Sequence, residues 1–292
     1  MNAVTQKGYA KINLGLDVLR RREDGYHELR MIMQTVNLFD EITITKTDTA
    51  GVIELTANRD DLPLDEHNLI YKAAKIMADA YQLPGGMKIH LTKSIPMAAG
   101  MAGGSADAAA TFLGINRLYE LNLPKEELCI KGVCVGADVP YCIMGGTFLA
   151  EGIGEILTPL RQIEGLPAVI VKPAFDVSTG YVYGNLHAES IANHPDIDGQ
   201  IAAIEKGDYR AMADLMGNVL QNVTIVKYPQ IETIKEQLLS LGSFGSMMSG
   251  SGPSVFGLFE EKAGAEEAAA KMQTLWPDAF VCATKLIPVC ED

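Results

Sequence analysis

The sequence predicts an α+β fold in two domains. Strand-like alternation of apolar and polar residues recurs between segments with helical spacing, but without the regular strand–helix–strand rhythm of a parallel sheet. At 292 residues the chain is long enough to form two domains of ordinary size. Periodicity is lost around Leu157–Pro167, so we place the boundary there and predict domains at 1–160 and 161–292.

Composition and charge restrict the classes of partner. The formal net charge of -13 argues against nucleic acid, because binding to a phosphate backbone depends on clustered Lys and Arg. An anionic ligand would therefore need a local site. No stretch approaches the roughly 20 apolar residues of a membrane span, and the first residues lack the apolar run of a secretory signal. We expect a cytoplasmic protein with no membrane partner.

The first predicted strand has two faces. In "YAKINLGLDVL" apolar residues alternate with polar ones, so one face belongs to a core while Lys11 and Asn13 point together from the other. The turn signal Asp24–Gly25 follows, with Tyr26 and His27 directly after it. This pattern predicts a hairpin that carries polar and aromatic side chains.

The other elements follow from periodicity. In the first domain we predict strands at "FDEITITKT" and "GMKIHLTKSIP", a helix over Asn68–Leu83 with Asn68 as its cap, and helices after the glycine-rich segment and at "KEELCIKGVCV". In the second domain we predict a strand at "PAVIVKP", helices over roughly Ser178–His187, Asp196–Lys206, Asp208–Val223, Pro229–Leu241 and Ala263–Leu275, a loop at "GSMMSGSGPS", and strands at "SVFGLF" and near Phe280–Ile287.

The segment "IPMAAGMAGGSADAAATF", residues 95–112, has two interpretations. Gly100, Gly103 and Gly104 would let backbone N–H groups approach an anion, and Ser105 would cap a helix whose positive N-terminus attracts phosphate. Alternatively, the small residues would allow a close helix crossing. The Walker pattern is excluded, because Ala106 and the residue after it stand where Lys and Ser or Thr are required. The segment alone leaves both interpretations open.

Three other features are ambiguous singly. Asp138 in "GADVPYC" is either a helix cap or a carboxylate that orients a hydroxyl nucleophile. The segment Met247–Phe256 is either a plain turn or a second glycine loop that approaches a phosphate or the first loop. Tyr26, His27 and Tyr183, each taken alone, are more typical of packing or surface positions than of recognition.

Taken together and in order, four segments resemble the GHMP kinase superfamily: "YAKINLGLDVLRRREDGYHEL", "IPMAAGMAGGSADAAA", "GADVPYCIMGGTFLAEGIGE" and "MSGSGPSVFGLF". The resemblance implies an N-terminal ribosomal-protein-S5-like ATP-binding domain, a C-terminal ferredoxin-like domain and an active site in the cleft between them. Within the superfamily, "DGYHEL" and "GADVP" are similar to the kinases that phosphorylate the 2-hydroxyl of 4-diphosphocytidyl-2-C-methyl-D-erythritol, an isoprenoid precursor. A homoserine or mevalonate type of kinase, or a non-catalytic nucleotide-binding relative, is the alternative.

The resemblance also implies residue roles. Lys11 and Asp138 correspond to the catalytic pair, and Tyr26, His27 and Tyr183 correspond to the cytidine pocket. Asn13 and Lys93 would add polar contacts to that pocket. The positions implied for ATP are Lys93, Pro96, Met97, Ala98, Ala99, Gly100, Met101, Ala102, Gly103, Gly104, Ser105 and Ala106.

The implied reaction uses ATP with Mg²⁺, for which we assign no ligand residues. The family loop usually reads closer to "GAGLGGGSSD", and Ala99, Met101, Ala102 and Ala106 are departures from it. Ala106 lacks a hydroxyl that would touch phosphate or metal, whereas the backbone N–H groups of the loop are kept. The expected partner is a small cytidyl-diphosphate molecule, and the protein itself is expected to be a monomer or a homodimer.

Overall fold

The computed structural model describes residues 1–288, and these form two compact units. Unit 1 comprises Met1–Ala10, Leu38–Ile95 and Ala102–Met144, and unit 2 comprises Lys11–Asn37, Pro96–Met101 and the chain from Gly145 onwards. The paired strands β1 (Ala3–Arg21) and β2 (His27–Thr47) each contribute to both units, because they are 19 and 21 residues long. The domain boundary near residue 160 stays a prediction, since each unit is assembled from several chain segments.

Unit 1 combines strands with a group of helices. The second half of β2 pairs antiparallel with β4, and β4 pairs parallel with β3. Apolar side chains from the strands and helices form one core that includes the fully buried Ile44, Met77 and Phe112. The further elements of this unit are β3 (Ile53–Ala57), α1 (Leu69–Tyr81), β4 (Gly86–Thr92), α2 (Gly103–Leu118), α3 (Lys125–Gly132) and α4 (Val139–Met144).

The starts of α1 and α2 differ. Asn68 caps α1 as predicted, its side chain accepting a hydrogen bond from the backbone N–H of Ile70 at 2.9 Å. The predicted cap of α2 was wrong: the helix begins at Gly103, after a left-handed Ala102 that makes no side-chain cap, and Ser105 lies inside the first turn. The left-handed residue turns the chain into the helix before Ser105 is reached, so its hydroxyl is not at the capping position.

Small residues of β1 and α2 pack closely in unit 1. Gly8 of β1 lies directly against α2, where a Cβ atom added at Gly8 would come within 2.6 Å of the carbonyl oxygen of Ala106. Ala106 is itself fully buried. Small residues therefore allow a strand to pack closely on α2, whereas the predicted helix crossing stays a prediction.

Unit 2 contains a four-stranded antiparallel sheet in the order β10-β7-β9-β8, together with a pairing of the first half of β2 with β5 and of β5 with β6. A short 3-10 turn lies at Ala188–Ser190. The helices and strands are β5 (Thr147–Gly152), β6 (Ile156–Pro159), β7 (Pro167–Lys172), α5 (Thr179–Gly184), α6 (Ile197–Lys206), α7 (Tyr209–Asp214), α8 (Gln221–Lys227), α9 (Gln230–Ser240), β8 (Gly245–Met248), β9 (Val255–Leu258), α10 (Lys262–Leu275) and β10 (Phe280–Lys285).

Two predictions for unit 2 were wrong in detail. The predicted helix Asp208–Val223 is two helices, because Asn218 in the break bonds its side chain to the carbonyl oxygens of Met248 and Gly250 instead of continuing a helix. The first part of the predicted glycine-serine loop is strand β8, which pairs with β9. Both differences depend on partners distant in sequence. No helix among the described residues is long and apolar enough to span a bilayer.

Candidate functional site

The middle of β1 carries a buried polar pair. Lys11 and Asn13 are 4% and 0% exposed, and the Lys11 Nζ donates a hydrogen bond to the Asn13 Oδ1 at 2.8 Å. The prediction that the two side chains share one face is confirmed. The strand differs from the prediction in that both of its faces are buried over residues 10–18. A lysine held in the interior by hydrogen bonds is an unusual arrangement that suits a catalytic role.

The glycine-rich segment has an alternating backbone. Ala98, Gly100 and Ala102 have left-handed φ values of 48°, 71° and 57°, whereas Ala99 and Met101 between them do not. Alternation of left-handed and ordinary residues turns successive N–H groups towards one side and makes an anion-binding concavity. Left-handed alanine costs about 1 to 2 kcal/mol, and such strain is concentrated at functional sites. The glycine loop, as we call residues 96–106, is therefore shaped to hold an anion.

Helix α2 continues this arrangement. It is 16 residues long, no side chain caps its first turn, and that turn contains no acidic residue. The first N–H groups of a helix lack intrahelical partners, and the helix dipole adds partial positive charge at the same end. The start of α2 thus offers backbone donors suited to phosphate.

Within unit 2, the middle of the glycine loop contacts two predicted features. The Ser249 Oγ donates to the carbonyl oxygen of Gly100 at 3.0 Å, and the Lys11 Nζ makes a longer contact of 3.5 Å with the same oxygen. The backbone N–H of Lys11 donates to the Met101 carbonyl at 3.2 Å. The glycine-serine segment is therefore a second loop that approaches the first, and the strand lysine reaches the glycine loop as well.

Within unit 1, the "GADVP" segment lies beside the other end of the loop. A Cβ atom built on Gly136 would lie 3.7 Å from the Ser105 Oγ, so the two backbones are neighbours. Asp138 is half-buried and precedes α4, and its carbonyl oxygen accepts from the N–H of Cys142. Lys11 belongs to unit 2 and Asp138 to unit 1, so their pairing stays a prediction.

The predicted cytidine residues are brought together in part. The rings of His27 and Tyr183 lie 5.2 Å apart at an angle of 37°. Tyr183 therefore packs beside His27, while Tyr26 is 59% exposed. Partial burial, followed by the charge of Arg21, lowers the pKa of His27 below its ordinary value. His27 is therefore neutral at neutral pH and can both donate and accept a hydrogen bond.

Lys93 has partners that the sequence did not indicate. Its Nζ lies 2.5 Å from the Oδ2 of Asp40 and 2.7 Å from the Oδ2 of Asp107, and the three side chains are 4%, 0% and 7% exposed. Burial raises the pKa of Asp107 to about 8, although Lys93 acts in the opposite direction. The position of Asp107 directly after the glycine loop could have marked it as a functional residue. Nothing in the sequence, by contrast, distinguishes Asp40 from a surface aspartate.

One group of possible metal ligands occurs among the described residues. Asp65, Glu66 and His67 lie together before α1, and all three are exposed. Asp65 accepts a hydrogen bond from the backbone N–H of His67, which accounts for this arrangement as a turn. The cluster therefore does not assign ligands for Mg²⁺.

Comparisons with known proteins identify the family of the chain. The GHMP kinases N terminal domain model matches residues 68–146, and the GHMP kinases C terminal model matches residues 200–278. A 4-diphosphocytidyl-2-C-methyl-D-erythritol kinase from Lachnoclostridium phytofermentans is 51% identical over 92% of each chain, and one from Clostridium novyi is 47% identical over 95% of this chain and 99% of the relative. The chain belongs to the 4-diphosphocytidyl-2-C-methyl-D-erythritol kinase family.

Solved structures support the family and its fold. A crystal structure of 4-(cytidine 5'-diphospho)-2C-methyl-D-erythritol kinase matches with a TM-score of 0.81 and 31% identity, covering 97% of this chain and 99% of that one. A homoserine kinase from Cytophaga hutchinsonii matches with a TM-score of 0.83 at 22% identity, covering 98% of this chain and 95% of the other. At that identity the likeness concerns the fold alone. The predicted α+β GHMP kinase fold is confirmed.

Proposed function

We propose that this protein transfers the γ-phosphoryl group of ATP to the 2-hydroxyl of 4-diphosphocytidyl-2-C-methyl-D-erythritol, a step in the non-mevalonate route to isoprenoid precursors. Relatives of 45% to 51% identity carry the name of that kinase. The observation that carries the proposal is the glycine loop, whose φ values alternate up to the uncapped start of α2. Phosphoryl transfer requires mainly positioning and charge stabilisation, which such a loop supplies.

The phosphates of ATP are held by the backbone. Peptide N–H groups of the glycine loop and of the first turn of α2 donate to the β- and γ-phosphate oxygens. Because these donors are backbone groups, Ala99, Ala102 and Ala106 do not remove them. Mg²⁺ enters as part of the Mg-ATP substrate and neutralises charge on the phosphates.

Lys11 and Asp138 carry the transfer itself. Asp138 orients the 2-hydroxyl and accepts its proton as the hydroxyl oxygen forms a bond to the γ-phosphorus, while the bond from that phosphorus to the β–γ bridging oxygen breaks and ADP leaves. Lys11 stabilises the charge of the transferring group. The contact of Lys11 with the Gly100 carbonyl supports its position at the loop.

The cytidine end of the substrate is recognised by rings and polar groups. Tyr26 and Tyr183 stack on the base, and neutral His27 hydrogen-bonds to its edge. The 5.2 Å separation of the His27 and Tyr183 rings supports a shared pocket. Asn13 and Lys93 add polar contacts, although both side chains are already engaged within the protein.

We further propose that the enzyme works in the cytoplasm on this small molecule, as a monomer or a homodimer. Nucleic acid is not among the proposed partners, because the net charge is -13.

The test is a panel of acceptors incubated with Mg-ATP. We expect ADP release and a phosphorylated product with the cytidyl substrate, a markedly lower kcat/KM with its uridyl analogue, and no turnover with homoserine or mevalonate. Asp138→Asn should lower kcat by roughly 10²- to 10⁴-fold while the protein stays folded. Turnover of homoserine or mevalonate in place of the cytidyl substrate would assign a sister kinase. Near-native turnover of the Asp138 variant would remove that residue from the proton transfer.

A further inference from the structure

The buried ion cluster of unit 1 occupies a particular place along the chain. Lys93 stands just after β4, three residues before the glycine loop starts at Pro96, and Asp107 is the first residue after the loop ends. Asp40 comes from the neighbouring strand β2. The cluster therefore joins the stretch of chain that enters the loop to the helix that leaves it.

Asp40 holds the entering chain with both carboxylate oxygens. Its Oδ1 accepts from the backbone N–H of Ser94 at 2.5 Å and of Ile95 at 2.8 Å, while its Oδ2 binds the Lys93 Nζ. Three donors from consecutive residues thus converge on one fully buried carboxylate. Charge-assisted hydrogen bonds of this kind are shorter and stronger than neutral ones, so the direction of the chain into the loop is fixed.

Asp107 holds the leaving helix through the same ammonium. Its Oδ2 lies 2.7 Å from the Lys93 Nζ, and a Cβ atom added at Gly103 would lie only 3.0 Å from that nitrogen. The first turn of α2 therefore packs directly against the ammonium group of Lys93. The Asp107 Oδ1 is buried and has no hydrogen-bond partner among the described residues. A carboxylate that uses one oxygen only, in a place that burial makes costly, is not explained by stability alone.

We infer that Asp40 and Asp107 are positioning residues for ATP binding: acting through Lys93, they fix the distance and direction between the two ends of the glycine loop. The inference rests on the proposed function in one respect, that ATP phosphates bind at this loop. Neither carboxylate touches ATP. Carboxylates that touched bound phosphates would repel them, so the role of Asp40 and Asp107 is to set the backbone donors; the ammonium of Lys93 compensates the charge of Asp40, and that of Asp107 where this carboxyl is ionised.

The role predicts a specific effect on affinity. Above the Asp107 pKa of about 8, Asp107→Asn keeps the shape of the side chain but replaces a charged acceptor for Lys93 with a neutral one, so at pH 8.5 the loop loses its fixed separation and the protein must order it on binding. We expect the Kd of a non-hydrolysable ATP analogue and the KM for ATP to rise about 10-fold. A change of this size corresponds to the loss of one charged hydrogen bond. The kcat and the KM for the acceptor should change less than about 3-fold.

A matched control lies in the same unit. Tyr81 donates to the Oε1 of Glu127 between α1 and α3, and neither residue belongs to the loop or to the Lys93 cluster. Glu127→Gln removes a charged hydrogen bond of comparable kind, so it should affect stability and leave the Kd of the analogue unchanged.

A double-mutant cycle with Lys93→Met tests whether Asp107 acts through the lysine. In the Lys93→Met protein, Asp107→Asn should cause no further rise in Kd, because the link it weakens is already absent. Asp40→Asn should also raise Kd, and where that variant does not fold, Asp107→Asn decides the question alone.

Calorimetric titration with the ATP analogue, which needs no acceptor, separates the outcomes. Equal rises for Asp107→Asn and Glu127→Gln, additive effects in the cycle, or a fall in kcat with unchanged Kd would each overturn the positioning role. An analogue that binds the native protein while the cytidyl acceptor is not phosphorylated would refute the proposed acceptor and leave the positioning role standing on its own data. Absence of analogue binding to the native protein would overturn both.

Discussion

The middle of the glycine loop and its two ends are held by different kinds of interaction. At the middle, Gly100 packs against the second loop and its carbonyl accepts from the Ser249 hydroxyl. At the ends, Asp40 and Asp107 bind Lys93 in a buried ion cluster. The contacts of the middle belong to unit 2 and those of the ends to unit 1.

Because the interactions differ, different kinds of substitution should disturb the middle of the loop and its ends. Close backbone packing depends on shape, so a single added methyl group disturbs it while a change of charge or pH does not. A buried ion cluster depends on charge, so substitutions of equal shape and changes of pH disturb it. The loop is thus sensitive to sterics at one point and to electrostatics at another, and each can be perturbed separately.

The largest effect is expected from Gly100→Ala. The residue has a φ of 71°, and an added Cβ atom would lie 2.3 Å from the Ser249 carbonyl oxygen and 3.0 Å from that of Gly252. The left-handed conformation costs about 1 to 2 kcal/mol and the overpacking a further 1 to 3 kcal/mol or so. We expect the loop to shift and kcat/KM for ATP to fall roughly 100-fold, since misplacement by about 1 Å has that effect.

Gly51→Ala is the matched control for the backbone strain. Gly51 has a φ of 72°, but an added Cβ atom would meet nothing within 4 Å. Urea unfolding should show a smaller loss of stability for this variant, with kcat/KM for ATP unchanged. Similar losses of stability and activity in both variants would mean that packing against the second loop does not hold Gly100.

The sequence predicted the features that depend on near neighbours. The shared face of Lys11 and Asn13 followed from the period of a strand, and the cap at Asn68 followed from residue preference. The helix start at Gly103 was missed because the left-handed Ala102 is set by the loop around it rather than by alanine's own preference. The relation of Asp40 to Lys93 spans 53 residues and depends on strand pairing, so no local pattern contains it.

The next effect is a dependence of stability on pH, which we expect from the Asp40, Lys93 and Asp107 cluster and not from the middle of the loop. Burial raises the pKa of Asp107 to about 8, against an ordinary value of 3.8, with Lys93 opposing the shift and Asp40 adding to it. Between these two values the unfolded chain has released the proton that the folded protein keeps. Raising the pH therefore lowers stability until about pH 8, and not beyond.

The amide in Asp107→Asn does not titrate, so the variant lacks this dependence on pH. The stability of the native protein relative to the variant should therefore fall from pH 5 to 8 and then level off. Urea unfolding at pH 5, 6, 7, 8 and 9 measures the difference. Asp79→Asn is the control, because Asp79 is an exposed partner of Lys75, and its curve should stay parallel to the native one. If the curve of stability against pH for Asp107→Asn were also parallel to the native curve, Asp107 would be charged throughout this range. The raised pKa of Asp107 would then be refuted.

The smallest effect is expected where one neutral hydrogen bond is removed from the middle of the loop. Ser249→Ala takes away the 3.0 Å bond to the Gly100 carbonyl, which keeps its longer contact with Lys11. A hydrogen bond of this kind contributes about 1 kcal/mol, so the KM for ATP should rise up to about 5-fold, with no dependence on pH between 6 and 9. Ser246→Ala is closely matched, since the Ser246 hydroxyl, three residues earlier in the chain, also donates to a backbone carbonyl at 3.0 Å, that of Phe256 in β9. That variant should lose similar stability and keep its KM. A rise in KM that varies with pH for Ser249→Ala would show that the middle of the loop also depends on a titrating group, and the division between shape and charge would then not hold.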